Sequence, residues 1–219
     1  PFSRDWDSEA GTKDLFDRYS FGIPSSKGKA DYAFIQEMYS HLKENGKAAI
    51  VSSQGVLFRE QKEVGIRKNF IENDLIDTVI ALPSNLFFGT SIPACILIID
   101  KNKPDNRKGK IQFIYAAKFF ESLKKRDKLR DIDIEKIVTA VKNFKNIDKY
   151  SHIADMKEIQ ENEFNLNVPR YVDTSDSEEE IDIPDILTKL NSIESDTNTL
   201  KNSLLIELKN LGIKNEIKK

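Results

Sequence analysis

Hydrophobic and polar positions along this chain follow two rhythms. In "ADYAFIQEMYSHLKENGK", Phe34, Ile35, Met38 and Leu42 recur at spacings of three and four, which predicts a helix with those residues on its inner face. Asn45–Gly46 stops it, with Gly46 placed to take a left-handed cap. "AAIV" (Ala48 to Val51) is a short continuous apolar run, the pattern of a strand covered on both faces in a parallel sheet. "EVGIRKNFIEN" returns to helical spacing, with Val64, the aliphatic stem of Arg67, Phe70 and Ile71 inward. "LIDTVIAL" (Leu75 to Leu82, closed by Pro83), "ACILIID" (Ala94 to Asp100) and "IQFIYAA" (Ile111 to Ala117) read as strands, the third being the last of the sheet. This alternation predicts an α/β fold with a largely parallel sheet covered by helices. The two strands after Pro83 have no helix between them, which predicts an antiparallel edge.

Beyond Ala117 the pattern changes. "DIEKIVTAVKNF" is an amphipathic helix with Ile134, Ile137, Val138, Val141 and Phe144 on one stripe and Asp133 as its cap. "DMKEIQENEFNLNVPRYVDT" predicts a short helix and then an extended stretch ending at Pro169. "SDSEEEIDIPD" reads as a solvated acidic linker. The tail is heptad-like: Ile186, Leu190, Ile193, Thr197, Leu200, Leu204 and Leu211 alternate in steps of four and three, with a break at Glu207. A stripe that narrow, behind a charged linker, predicts packing against a helix of another subunit or domain rather than its own core. The chain therefore divides into an α/β part at 1–120, a helical and extended segment packed on it at 121–174, and a linker with a heptad-like helix at 175–219. From Ser3 to Lys29 the glycine, proline and serine of "SFGIPSSKGK" predict a loop segment.

Composition narrows the functions. With 219 residues the chain holds one sizeable core and an appendage. Its 39% hydrophobic and 32% charged content is that of a soluble globular protein. A net charge of −2 gives no global reason to expect nucleic acid, whose phosphates normally select a basic footprint. The lone Cys95 excludes an intrachain disulfide, and no apolar run spans a bilayer, so a cytoplasmic location is expected. Gly-rich phosphate loops, paired cysteines and zinc-ligand spacings are absent. His41, in the polar sector of its helix, and His152, in a loop, read as surface histidines, and Cys95 as a small core residue. "KKRDKLR" (Lys124 to Arg130) could touch phosphates, although a solvated face is its default reading. Two loops stand out. One is the opening "PFS". The other, "PSNLFFGTSIP", brings Phe87 and Phe88 together, either as a plug folded under the loop or as a binding surface.

"ADYAFIQEMYSHLKENGKAAIVSSQGVLF", "IRKNFIENDLIDTVIALPSNLFFGTSIPACILIIDKNK" and "FNLNVPRYVDT" together resemble, in this order, the carboxyl-terminal half of the modification subunit of type I restriction-modification systems. Those subunits are adenine-specific DNA methyltransferases using S-adenosylmethionine. The resemblance runs from Pro1 to about Ile183. It implies the C-terminal part of a Rossmann-like S-adenosylmethionine-dependent methyltransferase sheet with a helical tail. It also implies methyl transfer to adenine N6 in double-stranded DNA.

Pro1 and Phe2 match the last two residues of the family's catalytic Asn-Pro-Pro-Phe, which is usually followed by Ser as here. The Asn, the first Pro and the upstream glycine-rich cofactor region have no counterpart in the sequence. No cofactor-binding residue is therefore assigned, and the resemblance implies a fragment that is inactive alone and binds S-adenosylmethionine weakly or not at all. In the family the tetrapeptide positions N6, a poor nucleophile, for in-line attack on the sulfonium methyl. Its aromatic residue, Phe2 here, stacks on the base once it has left the duplex. Phe87, better placed than Phe88, is the candidate for the other face. The implied partners are the specificity subunit, through the C-terminal helices, a second modification subunit and the restriction subunit. The alternative is a non-catalytic remnant that docks on the specificity subunit. A separately encoded upstream half could also dock on an exposed sheet edge, an edge that would limit the solubility of a solitary chain.

Overall fold

A computed structural model of the chain describes residues 2, 4–24, 30–175 and 183–212. Pro1 and residues 176–182 of the acidic linker lie outside the described residues, and Ile183–Asp185, read as the linker's end, open the C-terminal helix. Two compact units are present, Pro1–Thr174 and Ser175–Lys219. In chain order the elements are α1 (Ser8–Thr12), α2 (Asp31–Ser40), β1 (Lys47–Ser53), α3 (Lys62–Glu72), β2 (Ile76–Ala81), β3 (Ala94–Asp100), β4 (Lys110–Tyr115), α4 (Asp131–Asn143), β5 (Ser151–Asp155), α5 (Met156–Glu161) and α6 (Ile183–Asn210).

The strands form one mixed sheet in the order β1-β3-β2-β4-β5. Because side chains alternate across a strand, the central strands β2, β3 and β4 feed two cores. Val79, Ala81, Cys95, Leu97 and Ile99 point to one face, where Tyr32 and Ile35 of α2 and Ile66 and Phe70 of α3 pack. Ile80, Ala94 and Ile114 point to the other, covered by Ile137 and Ala140 of α4. The segment after α5 returns to the first face: Leu166 donates its N–H to the Leu57 carbonyl at 2.8 Å, and Tyr171 stacks on Phe113 with ring centroids 3.7 Å apart.

Several expectations are corrected. Leu75–Leu82, not Ala48–Val51, yields the strand covered on both faces; every residue of β2 is buried, whereas β1 alternates exposed and covered positions. The reason is position. β1 ends the sheet, pairing only with β3, and among the described residues no strand lies along its other side. The antiparallel strand β3 is interior, between β1 and the parallel pair β2–β4. Ile111–Ala117 is not the last strand, because β5 pairs antiparallel with β4 and forms the far edge. His152 consequently lies on β5, its Nε2 2.9 Å from a Glu158 carboxylate oxygen, rather than in a loop.

Helix α2 turns a different face inward than the spacing suggests. Tyr32, Ile35 and Gln36 are buried, while Phe34 and Met38 are 39% and 45% exposed. Those two side chains flank the open side of β1 instead of its covered face. The helix stops at Ser40 in successive tight turns, with Leu42 N–H bonded to the Tyr39 carbonyl and Gly46 N–H to the Lys43 carbonyl, so Gly46 needs no left-handed φ and has none. In α4, Asp133 is the third helical residue rather than the cap. Its carboxylate accepts the Arg130 backbone N–H at 3.0 Å and the Arg130 guanidinium at 2.9 Å, serving the helix N-terminus from inside. The Ser3–Lys29 segment contains the short α1 and is tethered where described: Phe21 packs on Phe70, and Asn69 donates to the Phe21 carbonyl at 2.9 Å. Helix α6 is 28 residues long and carries Ile186, Leu190, Ile193, Leu200 and Leu204 exposed.

Candidate functional site

The loop between β2 and β3 leaves the sheet at the carboxyl end of β2, and its base is closed by Leu82 N–H bonded to the Ala94 carbonyl at 3.0 Å. Asn85 and Gly89 turn it with φ of 55° and 74°, and the turn carries Phe87 and Phe88 side by side. Phe2 arrives from the chain's start, half-buried against the cluster that holds Leu82, Leu86 and Ala94. The Phe2 and Phe87 rings meet edge to face, centroids 5.8 Å apart and planes at 83°. Phe88 does not join them: it is 83% exposed against 36% for Phe87. The structure thus brings together two residues 85 positions apart, Phe2 and Phe87, at the carboxyl end of the sheet, where open α/β folds put their sites. A base sandwiched between parallel rings needs about 7 Å, twice the carbon–carbon contact distance. The edge-to-face pair is therefore a closed slot, and one ring must turn for a base to enter.

On its other side Phe2 borders a cleft of about 80 Å³ lined by Asp31, Phe34, Ile35, Met38, Ile50, Val51 and Ser52. That is the space of two or three waters, far below the several hundred Å³ of a small-molecule site. S-adenosylmethionine does not fit there. Beneath the cleft the end of β1 is fixed by polar contacts: Arg59 Nη1 donates to Asp31 Oδ2 at 2.7 Å, and Arg59 Nη2 to Ser53 Oγ at 2.8 Å. Ser53 Oγ in turn donates to Asp31 Oδ2 at 3.1 Å. Gly55 leaves room for this guanidinium, since a Cβ there would stand 2.5 Å from Arg59 Nε.

The other candidates separate cleanly. Pro1 lies outside the described residues. Cys95 is fully buried beside the Ser53 carbonyl, and burial pushes its thiol up to about 12, so it is a core residue and no nucleophile. His41 is exposed and bonded to its own helix through the Glu37 carbonyl at 2.9 Å. Among the described residues no group of three or more His, Cys, Asp and Glu side chains is arranged to hold a metal, and no helix is long and apolar enough to cross a membrane. The basic run Lys124–Arg130, which by sequence could touch phosphates but reads by default as a solvated face, is placed beside the aromatic loop. It forms a hairpin pinned by reciprocal Glu121–Lys128 backbone bonds of 2.8 and 2.9 Å, and it lies against the aromatic loop through Asp127 N–H bonded to the Asn85 carbonyl at 3.0 Å.

Comparison with known proteins agrees with this geometry. Residues 1–180 match the family model described as N-6 DNA Methylase. The chain is 40% identical over 183 residues to the type I restriction enzyme MjaVIII methylase subunit of Methanocaldococcus jannaschii, covering 82% of this chain and 31% of that protein. It is 33% identical over 201 residues to the MpnII methylase subunit of Mycoplasma pneumoniae, covering 89% and 37%. The crystal structure of a type I restriction-modification methyltransferase subunit from Streptococcus thermophilus superposes with a TM-score of 0.73 at 46% identity, covering 79% of this chain and 36% of that one. The chain spans about a third of the length of the curated relatives it matches. With a mixed α/β sheet of that class, two aromatic rings converging at its carboxyl end, and a family match over most of its length, the chain belongs to the N-6 DNA methylase family.

Proposed function

We propose that this chain is the C-terminal portion of a type I restriction-modification methyltransferase subunit, acting on adenine N6 in DNA, and that its own contribution is to grip the extruded adenine. The carrying observation is the Phe2–Phe87 contact of 5.8 Å. Two separate chain segments bring aromatic rings to one place, and once one ring has turned, an adenine held between them has its N6 edge free for chemistry. S-adenosylmethionine supplies an electrophilic methyl when bound in a complete subunit. The described cleft beside Phe2 does not accommodate it, and no step through it is assigned to these residues. What the described residues do is bind and orient: Phe87 stacks on the base, Phe2 closes the opposite face, and the Asp31–Ser53–Arg59 contacts hold the end of β1 beside them. Helix α6, with its leucines and isoleucines exposed in steps of three and four, suits packing on the specificity subunit, with the second modification subunit and the restriction subunit completing the assembly.

The test is fluorescence anisotropy with a labelled DNA hairpin carrying either a bulged adenine or an abasic site. Base stacking contributes about 1–3 kcal/mol by alanine substitution, so the adenine hairpin should bind roughly tenfold more tightly. Phe87→Ala should erase that preference, and Phe88→Ala should leave it. Equal affinity for the two hairpins with the unsubstituted chain refutes the reading.

A further inference from the structure

The loop that carries Phe87 shares a second cavity, of about 550 Å³, with the basic hairpin; it is lined by Asn85, Phe87, Phe88, Thr90, Lys125 and Arg126 among others. Its chemistry differs from the Phe2 side. The Arg126 guanidinium lies over the Phe88 ring, 4.1 Å from the centroid, and Phe88 is otherwise open to solvent. A guanidinium held over a ring keeps N–H groups available, and these can receive a phosphate through two hydrogen bonds. Lys124 and Lys125 stand exposed beside it, and among the described residues none of these three cations has a carboxylate at ion-pair distance. Arg130, four residues on, is by contrast committed to Asp133 at 2.9 Å. The hairpin is also held at its stem, by the Glu121–Lys128 pair and by Leu129 packed on the core, so its unpaired cations project from a fixed base.

We propose that Lys125 and Arg126, with the exposed ring of Phe88, form a binding site for the sugar-phosphate backbone of the single strand that carries the extruded base. This deepens the base-gripping reading and rests on it for the identity of the ligand. Phe87 serves the base on one side of the loop, and the cations on the other side hold the phosphate next to it. An aromatic ring capped by an arginine in a basic cavity is the arrangement of a single-strand platform, in which stacking and phosphate neutralisation act together. The −2 net charge of the chain does not oppose this, because what attracts a phosphate is the local field of unpaired cations.

The experiment is a salt titration by fluorescence anisotropy, using the full chain and a labelled single-stranded oligonucleotide of about twelve nucleotides with one central adenine, or an abasic site in its place. Log affinity against log salt falls by about 0.7 per phosphate neutralised on a single strand. The Lys125→Ala/Arg126→Ala double variant should flatten that slope by about 1.4 for both oligonucleotides, with an unchanged thermal melt. Lys142→Ala/Lys157→Ala, two exposed lysines elsewhere, should leave it unchanged. Phe87→Ala should keep the slope and lose the adenine preference. An unaltered slope in the first double variant, an equal flattening in the second, or no salt-dependent binding by the unsubstituted chain overturns the site. If the slope flattens as expected while adenine and abasic oligonucleotides bind alike, the phosphate site stands and the base-gripping reading falls.

Discussion

Arg67 is the largest side chain buried in the fold, on an α3 face that otherwise presents Ile66, Phe70 and Ile71 to the core. Its Nε donates to the Phe164 carbonyl at 2.8 Å and its Nη1 to the Arg59 carbonyl at 2.9 Å, with a longer 3.4 Å contact to the Val56 carbonyl. One guanidinium thus ties α3 to the turn after β1 and to the segment after α5. Arg67→Met keeps the stem and removes the donors. Hydrogen bonds from a charged donor contribute about 1.5–3 kcal/mol each, and a buried carbonyl left without a donor costs about 1–3 kcal/mol. Because the acceptors share one donor group, the losses do not add fully, and a net loss of about 3–5 kcal/mol is expected. For a chain of this size that lowers Tm by roughly 6–20 °C. Urea unfolding followed by circular dichroism measures it as a lower midpoint at unchanged m-value. A loss below about 1 kcal/mol would show that the carbonyls find other donors and that Arg67 is not the tie described.

Alkaline pH should destabilise the fold in a defined window. Burial holds the Cys95 thiol up at about 12 against an ordinary 9.0, and the Tyr150 hydroxyl up at about 12 against 10.0, with Tyr32 and Tyr171 also raised by burial. A raised folded-state pKa means that the unfolded chain releases its proton first, so stability is intact below pH 9 and falls as pH climbs from 9 toward 12; urea midpoints in that range test it, and a flat profile contradicts it. Cys95 should resist iodoacetamide at neutral pH in the native state and react on unfolding, which thiol titration with and without urea reads directly. Gly55→Ala should push Arg59 off Asp31 and Ser53 and cost about 1–2 kcal/mol, whereas Gly65→Ala, whose Cβ meets nothing within 4 Å, should be neutral or stabilising. Val51, 45% exposed on the open strand β1, should drive concentration-dependent self-association; Val51→Lys should reduce it in sedimentation velocity, and equal association in both proteins would exclude the edge as the cause.

The strands were legible because their signal is local. β2 and β3 bury a side chain at nearly every position, and the runs Leu75–Leu82 and Ala94–Asp100 carry that continuity in the sequence itself. What the sequence left hidden depends on neighbours. Whether Ala48–Val51 is covered on both faces is decided by what pairs with it, and β5 is too short and too polar, as Ser-His-Ile-Ala-Asp, to stand out without β4 beside it. Phe34 and Met38 have the spacing of a buried stripe, yet they flank an open strand, and spacing does not say which side of a helix the sheet occupies. The site was legible in halves: two aromatic loops were visible in the residues, and their convergence came only from the family resemblance, since the approach of Phe2 to Phe87 is a property of the sheet between them. The basic run was visible as a charge cluster, but its place beside the aromatic loop was not, because a run of charge does not say what it folds against.

Several of these residues share one location. Phe2, Phe34, Met38 and Val51 all border the open side of β1, and the residues of β1 itself are paired through β3 alone. The cores on the two faces do not rely on that side: Val79, Leu97 and Phe113 on one face and Ile80 and Ile114 on the other are closed by α2, α3 and α4. The sheet can therefore stay folded while its β1 edge offers unpaired backbone groups and exposed apolar side chains next to Phe2. A strand added along β1 would cover Val51 and its flanking side chains and would border the cleft beside Phe2.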